Sequence, residues 1–408
     1  MGIKNSNLGG EVGDNMNDKF IPLSVPNLKG NELKYVTQAV ETEWVSTGGP
    51  YVDEFEKRIA NYAKCKGAVS CQNGTAGLHL ALQVCGLGKN DEVIVPTLTF
   101  IAAVNPVKYI GADPVFMDCD DSLTIDPVKL LEFCENECLF ENGKLINKDT
   151  KNYVKALLVV HVFGNLADME SIMNISKKYN LRVIEDATEA IGTYYNGGKY
   201  KDKHAGTIGD IGVYSFNGNK IITTGGGGMI VSNNEFLLKK AKHLSTQAKS
   251  DELYYTHDEI GYNYRMTNLQ AALGLAQLEQ LENFIKVKKE NYEIYKIQIS
   301  KIPGLRIIEF RSGIRPNYWF YSLYIDSNYA LNRDELIKYL ALKGIQTRPI
   351  WGLINEQKPY LSNQTFKISK AKYYWNHVIN IPCSSNLTRE DVERVIETLR
   401  NVKSERME

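Results

Sequence analysis

The chain has 408 residues, 43% of them hydrophobic, with 48 Lys and Arg against 48 Asp and Glu. That apolar share over that length buries a large core, which excludes global disorder and predicts two or three lobes, or one large α/β domain with an appendage. A formal net charge of zero excludes a nucleic-acid or membrane binder working by bulk electrostatics, while leaving room for local anion sites.

Met1 to Lys19 is rich in Gly, Asn and Asp and lacks an apolar signal core, so it reads as a flexible extension over residues 1–19. Gly2 and Ser6 fit the loose myristoylation pattern, and Met16 is an alternative start. No run approaches the roughly 18 apolar residues that cross a bilayer. The seven cysteines read as free thiols of a reducing compartment. Cys134 and Cys138 lack a second pair at ligand spacing, so no metal site is expected. The expected protein is cytoplasmic, with no membrane or nucleic-acid partner.

From Ile21 onward, apolar runs of strand length fall at Ala68–Ser70, Glu92–Val95, Pro114–Met117, Lys155–Val162, Leu181–Glu185, Gly212–Phe216 and Gly228–Val231. Helical patterns lie between several of them, at Val52–Tyr62, Thr75–Val84, Met169–Tyr179 and Glu235–Leu244. Short all-apolar strands alternating with amphipathic helices predict an α/β fold with a mostly parallel sheet flanked by helices. Cys134–Tyr153 is polar and carries Asn142-Gly143, which predicts an exposed insertion with a hairpin-like turn. A long helix is expected from Arg265 to about Asn291, with Thr267 as its N-cap. Beyond it the alternations shorten, at Leu305–Phe310, Tyr318–Ile325, Glu335–Lys343 and Glu390–Leu399. The expected division is a large domain over 20–280 and a smaller C-terminal α+β domain over 281–408.

Binding sites of such sheets form at the carboxyl ends of the strands, and three motifs fall there. Asn73-Gly74-Thr75-Ala76 opens a helix, which suits a phosphate, although taken alone it reads first as a plain cap with Thr75 as N-cap. In Leu181-Arg-Val-Ile-Glu185-Asp186-Ala-Thr-Glu189, Asp186 ends a buried strand, where it either meets a cation or caps the next helix. Gly212-Val-Tyr-Ser215-Phe-Asn-Gly-Asn-Lys220 precedes Gly225–Gly228, a glycine run that lacks the Lys and Ser/Thr of a nucleotide P-loop. A lone loop lysine is ordinarily solvated; beside a phosphate cradle and a carboxylate, Lys220 acquires a purpose. Together the three suit pyridoxal 5'-phosphate (PLP), whose phosphate, ring nitrogen and aldehyde need those three partners.

At these motifs the chain resembles the DegT/DnrJ nucleotide-sugar aminotransferases, within the fold-type I PLP-transferases, from Ile21 to about Val402. The resemblance implies that Gly74, Thr75 and Ala76 form the phosphate turn, that Phe100 stacks on the cofactor ring, and that Asp186 keeps the ring nitrogen protonated. It further implies a phosphate hydroxyl at Ser215, the Schiff-base lysine at Lys220, and an Asn263 that reaches the cofactor phosphate of the other subunit in a homodimer with shared sites. Glu189 departs from the Gln or His usual beside the cofactor's 3-oxygen; it is protonated, turned away, or faces a neutral oxygen. His161 is structural or catalytic. The stripe Tyr318-Trp319-Phe320-Tyr321 reads as small-lobe core. Trp44–Gly49 is a substrate-side loop or an ordinary turn, and Arg348 meets substrate phosphates or pairs on the surface.

The activity implied is transamination in two halves, with L-glutamate as donor, a nucleotide-linked ketosugar as acceptor, and Lys220 moving the proton. The opening Pro22-Leu-Ser-Val-Pro, the Trp44 loop and Asp-Ala-Thr-Glu are most similar to the legionaminic-acid aminotransferases. They imply C4 of a UDP-linked 4-keto-6-deoxy-N-acetylhexosamine, with 3-keto and dTDP-linked sugars as alternatives. A PLP-dependent sugar dehydratase is disfavoured by Lys220, since such relatives carry His there. A non-catalytic PLP-binding regulator is disfavoured by the retention of both Lys220 and Asp186.

Overall fold

The computed structural model describes residues 20–402. The extension expected over 1–19, with Gly2, Ser6 and Met16, lies outside the described residues. The apolar runs become the strands of one ten-stranded sheet. Its members are β1 (Gly67–Cys71), β2 (Asp91–Pro96), β3 (Asp113–Met117), β4 (Cys138–Glu141), β5 (Lys144–Asn147), β6 (Tyr153–Val160), β7 (Arg182–Asp186), β9 (Ile211–Ser215), β10 (Gly228–Ser232) and β17 (Thr365–Phe366). The order is β1-β10-β9-β7-β6-β2-β3-β17, with β4 pairing β5 and β5 pairing the start of β6. Pairing is parallel from β9 through to β17, and β10 runs antiparallel to both β1 and β9. The all-apolar end of β6, Ala156 to Val160, is buried throughout, as a strand covered on both faces requires.

The hairpin at Asn142-Gly143 forms as expected, both residues taking positive φ (51° and 75°). The expected exposure of 134–153 is corrected: Cys134, Cys138, Leu145 and Asn147 are buried. The cause is the pairing of β5 onto β6, which carries Asn147 inward to bond Glu92 (Nδ2 to Oε2, 2.8 Å).

The long helix runs Asn268–Ile299, later at both ends than expected, and Thr267 caps it by accepting from the Gln270 N–H (3.3 Å). Residues 280 and 281 both fall inside this helix. After it comes an antiparallel sheet in the order β13 (Leu305–Ile307), β15 (Tyr321–Ile325), β18 (Val378–Ile381), β16 (Arg348–Pro349). Helices Arg333–Leu342 and Arg389–Arg400 accompany it. Two ribbons, β8 (Tyr194–Tyr195) with β14 (Ile314–Arg315) and β11 (Lys249–Asp251) with β12 (Thr256–His257), complete the strands. Residues at the described N-terminus pack on this smaller sheet: Ile21 bridges Ile345, and Leu23 O accepts from Cys383 N–H (2.9 Å). Among the described residues no helix is long and apolar enough to cross a membrane.

Candidate active site

The strand ends at β1, β7 and β9 surround one cavity of about 320 Å³, near the lower end of the ~300–1,000 Å³ common for small-molecule sites. Gly74, Thr75, Phe100, Asp186, Glu189, Ser215 and Lys220 all line it. Two expected residues do not. Ala76 spends its N–H on the Asn73 side chain (2.8 Å), because Asn73, extended at φ −166°, is the N-cap in place of Thr75. Asn263 lies exposed outside the cavity, its Oδ1 accepting from Arg265 Nε (3.2 Å) and Nη2 (3.0 Å).

The cap leaves the N–H groups of Gly74 and Thr75 without an acceptor among the described residues, at the positive end of helix Gly74–Val84. A Cβ on Gly74 would come within 3.0 Å of Ser215 Cβ and of Thr188 Cγ2. Glycine therefore keeps the helix start and the Ser215 hydroxyl around one small space.

At the end of β7, neighbouring carboxylates point to opposite sides of the strand. Asp186 faces the cavity, 3% exposed, with Oδ1 accepting the Thr188 N–H (3.0 Å) and no ion pair among the described residues. Burial raises its carboxyl above the usual range, against the bonds to Thr188 and the charge of Lys220. Glu185 faces away. It accepts from the N–H groups of Gly206 (2.8 Å), Ile208 (2.7 Å) and Gly209, and from His161 Nε2 (2.8 Å). His161 Nδ1 takes the Ala167 N–H (3.3 Å), so the network assigns the proton to Nε2. His161 is fully buried and lines no part of the cavity, as its structural reading requires.

Lys220 sits on the turn after β9, its N–H bonded to Asn217 O (3.0 Å). Its Nζ lies 3.5 Å from Glu189 Oε1 and 4.1 Å from the centroid of the Trp319 ring. Glu189 therefore does not turn away. Its Oε2 accepts the Phe163 N–H (2.8 Å), and burial pushes its carboxyl up to about 7, against the pull of Lys220 and of that N–H.

The aromatic stripe is buried core as expected, and two of its rings have a second role. Tyr321 is fully buried in β15, whereas Trp319 and Phe320 form cavity wall with Trp351. Trp319 Nε1 donates to Asn219 O (2.8 Å), fixing the ring over the lysine turn. Phe100, 52% exposed, stands at the mouth with its ring 6.3 Å from Trp351. Trp44 and Arg348 are exposed and line no part of the cavity. Sequence reading missed Trp319, Phe320 and Trp351 as wall; the stripe was the signal for the first two, and Trp351 had none.

The residues fit PLP. A buried carboxylate without a cation is costly, and a protonated ring nitrogen relieves that cost. Free N–H groups beside a serine hydroxyl suit a phosphate, and a shielded lysine amine suits an aldehyde. A family model described as the DegT/DnrJ/EryC1/StrS aminotransferase family matches residues 26–400. A GDP-perosamine synthase of Escherichia coli O157:H7 is 39% identical over 388 residues, covering 95% of this chain and 100% of that protein. A GDP-perosamine synthase of Caulobacter vibrioides is 38% identical over 385 residues, covering 94% and 98%. The solved structure of an aminotransferase from Psychrobacter cryohalolentis is 27% identical, covers 96% of this chain and 100% of that one, and superposes with a TM-score of 0.83.

Proposed function

The chain belongs to the DegT/DnrJ/EryC1/StrS aminotransferase family, as a PLP-dependent sugar aminotransferase of fold-type I, and from that premise we propose that it moves an amino group from L-glutamate to C4 of a nucleotide-linked 4-keto-6-deoxy hexose. The observation that carries this reading is the convergence of Gly74, Thr75, Asp186, Ser215 and Lys220 on one cavity. Perosamine is a 4-amino-4,6-dideoxy hexose, so the two relatives named above favour a GDP-linked acceptor. The opening and Trp44-loop motifs favour instead a UDP-linked N-acetylhexosamine on a route to a nonulosonic acid. The two acceptors differ in base and in the 2-acetamido group.

When bound, PLP supplies a carbonyl that takes up primary amines and a ring that accepts an electron pair from the amino-acid α-carbon. The helix start at Gly74 and Thr75, with the Ser215 hydroxyl, holds the phosphate by N–H donors and the helix dipole. Asp186 holds a proton on the ring nitrogen, which keeps the ring electron-poor. Phe100, lining the cavity at its exposed side, would cover the ring. Lys220 Nζ takes the α-proton from the amino donor and returns it when the ketosugar accepts the amino group. Trp319, Phe320 and Trp351 exclude water from the side of the smaller lobe. Asn263 of the partner subunit, by resemblance, completes the phosphate site, making a cytoplasmic homodimer the working unit.

The test is absorbance of the purified full-length protein with PLP, before and after L-glutamate without sugar. A visible band that fades on adding glutamate is expected, followed by amination of one sugar in a panel holding both GDP- and UDP-linked 4-ketosugars. Folded protein that binds no chromophore would overturn the reading of Lys220 and Asp186 together. A band that ignores glutamate would overturn the donor.

A further inference from the structure

Lys220 needs somewhere to put a proton. As an ammonium it cannot attack a carbonyl or take an α-proton, and its side chain is only 13% exposed, so bulk water is a poor acceptor. The charged groups facing it across the cavity are Glu189 and Asp186. Glu185 and His161, behind the strand, are closed on each other. Asp186 is occupied by the ring nitrogen in the reading above; Glu189, beside the position of the cofactor's 3-oxygen in that reading, keeps Oε1 turned toward the amine. Its Oε1 lies 3.5 Å from Nζ, an ion-pair distance that leaves the lysine free to swing.

Glu189 is also held unusually firmly. Oε2 takes the Phe163 N–H, presented by a left-handed residue (φ 58°), a backbone state that is rare for an aromatic. Its main-chain oxygen accepts from the fully buried Asn317 (Nδ2, 2.8 Å). One carboxylate oxygen is thus anchored while the other faces the amine.

We propose that Glu189 is the proton store of this site: Oε1 takes a proton from the Lys220 ammonium, freeing the amine, and gives it back when Lys220 must act as an acid. The exchange is balanced between the two groups, ammonium plus carboxylate becoming amine plus carboxylic acid. An amide at this position would keep the anchoring bond but store nothing. Burial that lifts the carboxyl to about 7 puts both of its forms within reach near neutrality.

The inference rests on the Lys220 reading, and its test is read without the cofactor. Infrared difference spectra of the full-length cofactor-free protein across about pH 5–9 are expected to show a carboxylic-acid carbonyl band that disappears with a midpoint of about 7. Glu189→Gln should remove the band. Lys220→Met, which deletes the cation favouring the carboxylate, should move the midpoint up by roughly one pH unit or more, tenfold or more in proton affinity. A band that persists in E189Q, no titrating band in the wild type, or an unmoved midpoint in K220M overturns the proposal. If E189Q does not fold, the K220M shift decides alone. Wild-type protein that gives these carboxyl results yet binds no PLP would overturn the aminotransferase reading and leave the proton exchange standing.

Discussion

Replacing Glu185 by Gln tests whether the histidine behind the strand is structural. Each carboxylate oxygen takes two donors: Oε1 from Ile208 and Gly209, Oε2 from Gly206 and His161. A glutamine keeps one oxygen and turns an NH₂ group toward the other two donors. His161 cannot rescue this by switching tautomer, since Nδ1 would then aim its own proton at the Ala167 N–H. At least two charge-assisted bonds are lost, at about 1.5–3 kcal/mol each, or roughly 3–6 kcal/mol in all. At ~2–4 °C per kcal/mol for a folding unit of about 150–250 residues, the thermal midpoint should fall on the order of 10 °C. The assay is thermal denaturation by circular dichroism for E185Q, His161→Ala and the double variant, with the PLP band read in each at a temperature where it is folded. The double variant should lose much less than the two losses summed, because both remove the same bond. A midpoint within about 2 °C of wild type would refute the reasoning, as would a half-reaction abolished in folded H161A, which would make His161 catalytic.

Trp319→Ala removes a ring 4.1 Å from Lys220 and its bond to Asn219 O. At about 0.5–2 kcal/mol for the first and ~0.5–1.5 for the second, the glutamate half-reaction should slow roughly fivefold to a few hundredfold in kcat/KM. W319F should fall between, and stopped-flow decay of the visible band measures all three. Lys288 is buried on helix Asn268–Ile299, its Nζ donating to Cys383 O, and burial lowers its pKa below the usual lysine value. The unfolded chain then binds a proton that the folded chain holds less tightly, so stability should rise with pH from the folded value up to about 10.5. Lys288→Met should flatten that rise in denaturant titrations; an unchanged slope would show that Lys288 is not its source.

The buried strands were legible because they are apolar on both faces, so runs such as Leu181–Glu185 and Gly212–Phe216 fall within a residue or two of β7 and β9. Gly74, Asp186, Ser215 and Lys220 were legible for the same reason, each lying at or just past the carboxyl end of such a strand. What the pattern could not carry was decided by contacts far along the chain. Asn73 and Thr75 are equally good caps by residue type, and only the extended backbone at Asn73 selects between them. Asn147 looks like a surface residue until β5 joins β6 and Glu92 comes within hydrogen-bond distance.

Trp319 shows the same limit where it matters most for chemistry. In a sequence, Tyr-Trp-Phe-Tyr is core, and Tyr321 obeys. Trp319, equally buried, also reaches the cavity wall: Tyr318 turns left-handed (φ 56°) and Asn317, fully buried, accepts the Trp319 N–H (2.9 Å) while its own Nδ2 donates to Glu189 O and Ile191 O (2.8 and 2.9 Å). One buried amide therefore ties the loop that carries Glu189 to the turn that covers Lys220. The large sheet supplies the acids and the lysine, but their distances are set by a segment contributed more than a hundred residues later. A turn bolted in this way is part of the active site and not an appendage to it, because any shift of it moves both neighbours of the lysine at once.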